Sequence, residues 1–389
     1  MNSSFVYHVP TKIYFGENQL ANLASELKVY GTRVLITYGG GSIKKIGLYD
    51  KVMAALKDQG LTVFEFSGIE PNPRHSTINK AIALCKQESI DVLLAIGGGS
   101  TIDATKFIGA GVFHDGDVWD FFIGKAKITK SLPILTILTL AAAGSEMDAG
   151  GVVTNLDSDD KLATGHPSLL PKVSFLDPTN TYSVSPYQTA CGCADILSHI
   201  FEVYFNLEPD LFMLDTVMEG LMRTIIKYGP IAIKDPNNYE ARANIMWASS
   251  WAINGFIEGG KDQAWSCHPM EHSLSAYYDI THGLGLAILT PRWLQHVLNE
   301  KTAPRIKQFG VQVFGLDSTL PSMIASKMAI ERLSDFLFEE MKLQSHLEDV
   351  GIDETHFDIM AQKACRGRTI HGFQPLKKED IISIYRRCL

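Results

Sequence analysis

The sequence predicts an N-terminal α/β domain built on a parallel sheet, followed by an all-helical C-terminal domain. Two observations carry this. Short β-branched strands alternate with helical stretches from residue 31 to 140, the pattern of parallel strands joined by helical crossovers. Beyond Ser185 the strand signals fade and long helical periodicity takes over. At 389 residues the chain also exceeds one ordinary core, since domains run at about 100–200 residues. The boundary is placed near Pro186, giving domains over 1–185 and 186–389.

Taken in order, Arg33–Tyr38 (RVLITY) reads as a strand, followed by GGGS and an amphipathic helix from about Ile43 to Gln59 that Gly60 stops. Leu61–Phe66 (LTVFEF) and Asp91–Ile96 (DVLLAI) are the next strands, and the latter again runs into GGGS and a helix. Pro133–Thr139 (PILTILT) is a fourth. Such continuous apolar strands imply a sheet covered on both faces. Residues 151–165 (GVVTNLDSDDKLATG) read as a hairpin with a polar turn, and Leu211–Tyr228 and Met323–Met341 as long helices.

Composition narrows the classes. A hydrophobic share of 46% and a charged share of 20% are those of a soluble globular protein. A net charge of −8 with scattered lysines argues against a nucleic-acid partner, which needs a basic stripe. The start, MNSSFVYHVP, lacks a basic and then apolar targeting pattern, and the longest apolar run, Pro133–Ala143, falls short of the ~20 residues that span a bilayer. A cytoplasmic protein with no membrane partner is therefore expected. Six cysteines in a chain this long do not read as a disulfide framework. Cys191-Gly-Cys193 could serve a thiolate zinc site, but no second pair has matching spacing.

Each GGGS, at 39–42 and 97–100, follows a strand and opens a helix. Glycine there lets the backbone approach a phosphate whose charge the helix N–H groups meet; it equally serves any tight strand–helix turn. Two such loops on one sheet favour a dinucleotide, although neither matches G-x-G-x-x-G. In the helical domain, CADILSHIF (193–201) sets Asp195 and His199 four residues apart on one helix face. Two readings stand for that pair, a local hydrogen bond that holds a core histidine or half of a metal site. Downstream, CHPMEHSLSAYYDITHGLG (267–285) adds His268, His272 and His282. Asp195, His199, His268 and His282 would offer one carboxylate and three imidazoles, a set suited to Fe²⁺, Zn²⁺ or Co²⁺. Such an ion with an open position acts as a Lewis acid on a carbonyl or alkoxide oxygen. Pro269 suits a first helical turn, so His268 is expected at a helix start.

An ordered set of motifs now points to a family. FVYHVPTKIYFG at the start, EPNP at 70–73, GGGSTIDATK at 97–106, AGSE at 143–146, D-x-x-x-H and the three spaced histidines together cover essentially the whole chain. The chain resembles the iron-containing (group III) alcohol dehydrogenases, and within them the NADP(H)-using butanol dehydrogenases and broad aldehyde reductases, which also carry YGGGS. The resemblance implies that Asp195, His199, His268 and His282 hold one divalent ion, Fe²⁺ or Zn²⁺. It implies that Gly97, Gly98, Gly99 and Ser100 wrap a pyrophosphate, with Asp103 behind them. Asn72, Thr139, Asp148 and Lys161 match positions that line the cofactor, and His272 matches a histidine near the substrate. The chain departs from the family pattern at Ala141–Ala143, usually richer in threonine, and at Asp148, where relatives carry an uncharged polar residue.

The implied reaction is hydride transfer between NADP(H) and a small to medium primary alcohol or aldehyde, with cofactor and metal meeting between the domains. His272 is the candidate to pass the proton, or else to orient its neighbours. NAD-using family members place an aspartate where this chain has Gly39; with Gly40, Gly41, Ser42, Lys44 and Lys45, its absence leaves room and charge for a 2′-phosphate. Glu65 and Glu70 could bind a ribose in an ordinary Rossmann site, whose fingerprint is missing. A homodimer is expected. The rival is a metal-dependent lyase or polyol dehydrogenase on the same scaffold, resembling dehydroquinate synthase or glycerol dehydrogenase, which should line its site with Lys and Arg. Trp251, Phe256, Ile257, Trp265 and Tyr277 around the ligand segments favour a less polar substrate.

Overall fold

The computed structural model describes residues 4–207, 212–261 and 265–389. They fall into two compact units, one of residues 8–184 and one that joins residues 4–7 to 185–389. The segment before His8, read from sequence with the α/β domain, thus groups with the helical unit, where the Tyr7 ring meets Phe256 edge-on at 5.8 Å.

The first unit begins with β1 (Lys12–Phe15), α1 (Leu23–Tyr30), β2 (Arg33–Thr37), α2 (Ser42–Lys45), α3 (Leu48–Leu56) and β3 (Thr62–Phe66). It continues with α4 (His75–Gln87), β4 (Val92–Gly97), α5 (Gly99–Gly111), β5 (Ile134–Leu138), the hairpin β6 (Gly150–Asn155) and β7 (Asp160–Gly165), and β8 (Val173–Leu176). Six strands form one parallel sheet in the order β1-β8-β5-β4-β2-β3. Alternation along the strands feeds two cores. Leu35 and Leu93 pack with Phe107 on one face, while Val34, Ile36, Val92 and Leu94 pack with Leu27 and Val52 on the other. The helix expected from Ile43 to Gln59 is broken in two, because Gly47 turns left-handed at φ 71° between α2 and α3.

The second unit holds α6 (Pro186–Tyr204), α7 (Phe212–Lys234), α8 (Tyr239–Trp251), α9 (Cys267–Tyr278), α10 (His282–Val297), α11 (Ala303–Phe314), α12 (Ser322–Ser334) and α13 (Phe357–Cys365). A short antiparallel ladder of β9 (Ile370–His371) and β10 (Pro375–Leu376) precedes α14 (Lys378–Arg387), so the unit is largely rather than wholly helical. Leu211, where the first long helix was expected to start, lies outside the described residues; α7 runs on past Tyr228 to Lys234. The helix expected through Met341 leaves α-geometry after Ser334 in a π-turn. Among the described residues no helix is long and apolar enough to cross a membrane.

Candidate metal centre and cofactor loops

The candidate metal centre grows out of α6. Ser185 caps this helix by accepting from the Gln188 N–H at 3.2 Å, and Pro186 opens its first turn. From Thr189 to Tyr204 every residue is buried, so Asp195 and His199 project into protein rather than solvent. His268 lies in the first turn of α9, as Pro269 predicts, and His282 is the first residue of α10. Three helices therefore bring candidate ligand atoms together. Asp195 Oδ1 lies 3.6 Å from His199 Nε2, 3.9 Å from His268 Nε2 and 3.6 Å from His282 Nε2.

These residues fit a divalent ion. Tetrahedral ligands about 2.1 Å from a metal sit about 3.4 Å apart. Asp195, His268 and His282 bring ligand atoms within 4.8 Å of one another, while His199 approaches Asp195 but stands outside that mutual group. The buried His268 Nε2 has no hydrogen-bond partner among the described residues, a costly state that a metal bond relieves. Burial, reinforced by His268, holds the His199 imidazole well below its usual range and hence in the neutral form that ligates. Cys191 and Cys193 do not join the cluster, and burial pushes both thiols up to about 12. His272 lies on the same side of α9, its ring 5.6 Å from that of His282. These two are the less buried histidines of the group, so the centre opens towards them.

Close helix packing makes this possible. A side chain at Gly283 would place its Cβ 2.0 Å from the Cys191 carbonyl oxygen of α6. At Gly285 it would meet Glu271 Cγ at 2.8 Å. Of the five aromatic and apolar residues expected around the site, Trp265 packs on the ligands, its ring 5.8 Å from His199 and 4.6 Å from His268. Tyr277 instead faces His356, and Trp251 faces Phe256.

Sequence reading missed two residues. Glu202 and Glu271 are buried carboxylates that contact His268 Nδ1 and His282 Nδ1. Their signal was a glutamate set inside an apolar helical run, at HIFEV and HPMEH.

The candidate cofactor loops lie in the other unit. After β2 the chain passes through Gly39 and Gly40 to Gly41, which is left-handed at φ 92°. A Cβ at Gly39 would lie 3.1 Å from the Ile69 carbonyl and 3.9 Å from Thr101 Oγ1, so this loop abuts the first turn of α5. Ser42 opens α2, and Lys44 reaches over the Tyr49 ring at 4.5 Å and to within 3.9 Å of Glu65. Glu65 accepts from Tyr38 and Tyr49, and Glu70 from Thr77, so both acids have local partners.

The second loop is tighter. A Cβ at Gly97 would meet Thr101 Oγ1 at 2.5 Å, at Gly98 it would lie 3.2 Å from Leu140, and at Gly99 it would meet Ala143 at 2.6 Å. Thr139 N–H donates to the Gly97 carbonyl at 3.0 Å, and Ser100 donates to the Pro71 carbonyl beside Asn72. Several residues expected to line a cofactor thus also brace the loop. Asp103 accepts from Ser145 at 2.5 Å and from Val152 N–H at 2.8 Å, engaging both its oxygens. Asp148 pairs with the buried Lys106, and burial raises its carboxyl to about 7 against the pull of that lysine. Lys161 is buried opposite Thr154 in the hairpin, where its charge helps hold the buried Asp103 carboxyl down against desolvation.

Comparison with known proteins places the chain in a family. Residues 10–178 match the model of the iron-containing alcohol dehydrogenases, and residues 189–389 match the C-terminal model of the Fe-containing alcohol dehydrogenase family. NADH-dependent butanol dehydrogenase A of Clostridium acetobutylicum is 48% identical over 99% of both chains. NADPH-dependent aldehyde reductase YqhD of Escherichia coli is 37% identical over 93% of this chain and 92% of its own. The crystal structure of NADH-dependent butanol dehydrogenase A from Thermotoga maritima superposes with a TM-score of 0.94 at 37% identity, covering 99% of this chain and 98% of that one. The chain belongs to the iron-containing alcohol dehydrogenase family.

Proposed function

We propose that this protein reduces small to medium aliphatic aldehydes with NADPH, and oxidises the matching primary alcohols, at one divalent ion held by Asp195, His199, His268 and His282. The observation that carries the reading is the convergence of three imidazole Nε2 atoms within 3.9 Å of one carboxylate oxygen. An ion bound there supplies Lewis acidity towards the substrate oxygen. Hydride transfer belongs to the nicotinamide, and the protein contributes orientation. Trp265 shields the ligand histidines, and half-buried His272 is placed beside His282 to pass the proton towards solvent, alone or through water. The test is a screen of aldehydes and alcohols with NADPH and NADH after loading Fe²⁺, Zn²⁺, Co²⁺ or Mn²⁺. Aldehydes of about three to six carbons should turn over faster than sugars or acids, because the Trp265 ring against the histidines cannot compensate a substrate's buried charge. Equal or better turnover of phosphorylated polyols would move the assignment to the lyase or polyol class.

The nicotinamide preference rests on the loop at 39–42. With glycine at 39 no acid repels a 2′-phosphate, while Ser42, Lys44 and Lys45 offer a hydroxyl and positive charge. One contact favours the opposite reading, NADH use. Lys44 already lies 3.9 Å from Glu65, which spends part of its charge locally. The relatives' names divide the same way, NADH-dependent for the butanol dehydrogenases and NADPH-dependent for the aldehyde reductase. We expect kcat/KM to favour NADPH at least tenfold, about 1.4 kcal/mol. Gly39→Asp should move the preference towards NADH, with the Ile69 carbonyl yielding slightly to the new Cβ. Equal discrimination by wild type and variant would mean that the 2′-phosphate is read elsewhere.

A further inference from the structure

We propose that Glu202 and Glu271 are the positioning residues of the metal centre, each following one ligand histidine by three residues and gripping the Nδ1 of the next. The sequence repeats the pattern H-x-x-E, at His199-Ile-Phe-Glu202 and at His268-Pro-Met-Glu271. Residues i and i+3 share a helix face, so each helix presents a ligand together with the carboxylate that serves the following helix. The series runs His199, Glu202, His268, Glu271, His282, and it crosses from α6 to α9 to α10.

The contacts support both links. Glu202 accepts from the Ser266 N–H at 2.6 Å and from the His268 N–H at 2.9 Å, at the start of α9 where backbone donors lack helical partners. The same carboxylate meets His268 Nδ1 at 3.0 Å. One acid therefore fixes both the start of the helix and the imidazole it carries. Glu271 meets His282 Nδ1 with one oxygen and accepts from Ser275 with the other. Gly285 leaves the room this approach needs, since a Cβ there would press on Glu271 Cγ. An imidazole that donates from Nδ1 to a carboxylate keeps its Nε2 lone pair for a metal, with its ring direction set. Both glutamates are buried, at 4% and 0% exposure, where an idle carboxylate is disfavoured.

The inference rests on the metal reading of the four ligands, and the test separates the two. Chelator-stripped wild type, Glu271→Gln, Glu202→Gln and His282→Ala are titrated with Co²⁺ against a competing chromophoric chelator. Absorption spectra of the Co²⁺-saturated proteins and thermal midpoints of the stripped ones are recorded alongside. Gln at 271 keeps the size of Glu and can still accept from Ser275, so this variant should fold even if Glu202→Gln, which sets an amide against two backbone donors, does not. Each glutamine variant that folds should bind Co²⁺ about 10- to 100-fold more weakly and show an altered cobalt spectrum. Unchanged affinity and spectrum would overturn the proposal, including where the midpoint of the stripped protein falls, since the glutamates would then only anchor helices. If wild type takes up no cobalt, or His282→Ala binds it as tightly as wild type, the metal reading itself fails.

Discussion

His268→Ala and His282→Ala are expected to lose the bound ion and about a thousandfold or more of activity while the chain stays folded. Each removes one of three imidazoles facing Asp195, and a metal supplies several kcal/mol of charge stabilisation during the reaction, about 1.4 kcal/mol per factor of ten. The fold should survive because other contacts hold the helices. In α10 the residues from Leu284 to Leu289 are buried without help from His282, and at α9 Glu202 still accepts two backbone N–H groups when His268 is truncated. Metal content by mass spectrometry, circular dichroism and kcat would check this together. Retained metal with lost activity would make these histidines reactive groups rather than ligands.

Gly283→Ala should destabilise the helical unit by about 3 kcal/mol or more. The added methyl would sit 2.0 Å from a backbone carbonyl of α6, which cannot swing aside as a side chain can. The helices must part, and parting them draws His282 away from Asp195, now 3.6 Å distant. Thermal melting and metal content should therefore fall together. Gly40→Ala is the control, because a Cβ there meets nothing within 4 Å. A Gly283→Ala protein as stable as wild type would contradict the packing described for α6 and α10.

The central strands were legible because buried parallel strands leave long β-branched runs, and RVLIT and VLLAIG stand out. Edge strand β1 and the four-residue β8 were not, since KIYF and VSFL are too short to separate from loop. Gly47 alone broke the helix expected to Gln59, and a glycine inside a periodic stretch reads equally as tolerated or as a turn. In the site, residue types and spacings pointed to Asp195 and the histidines as candidate ligands, and three helices bring them near one another. Glu202 and Glu271 escaped because a glutamate on a helix ordinarily reads as solvated. For Ser100, Asp103 and Asp148 the sequence showed where the residues stand along the loop. It could not show that these side chains turn inward to Pro71, Ser145 and Lys106.

On the proposed reading, turnover requires one ion on Asp195, His199, His268 and His282. The most direct measurement titrates the chelator-stripped protein anaerobically with Fe²⁺ while following butanal-dependent oxidation of the nicotinamide. The stripped protein should show no activity, and activity should rise linearly with added ion until one is bound per chain. Full activity in the stripped protein, or turnover indifferent to added ion, would contradict that reading.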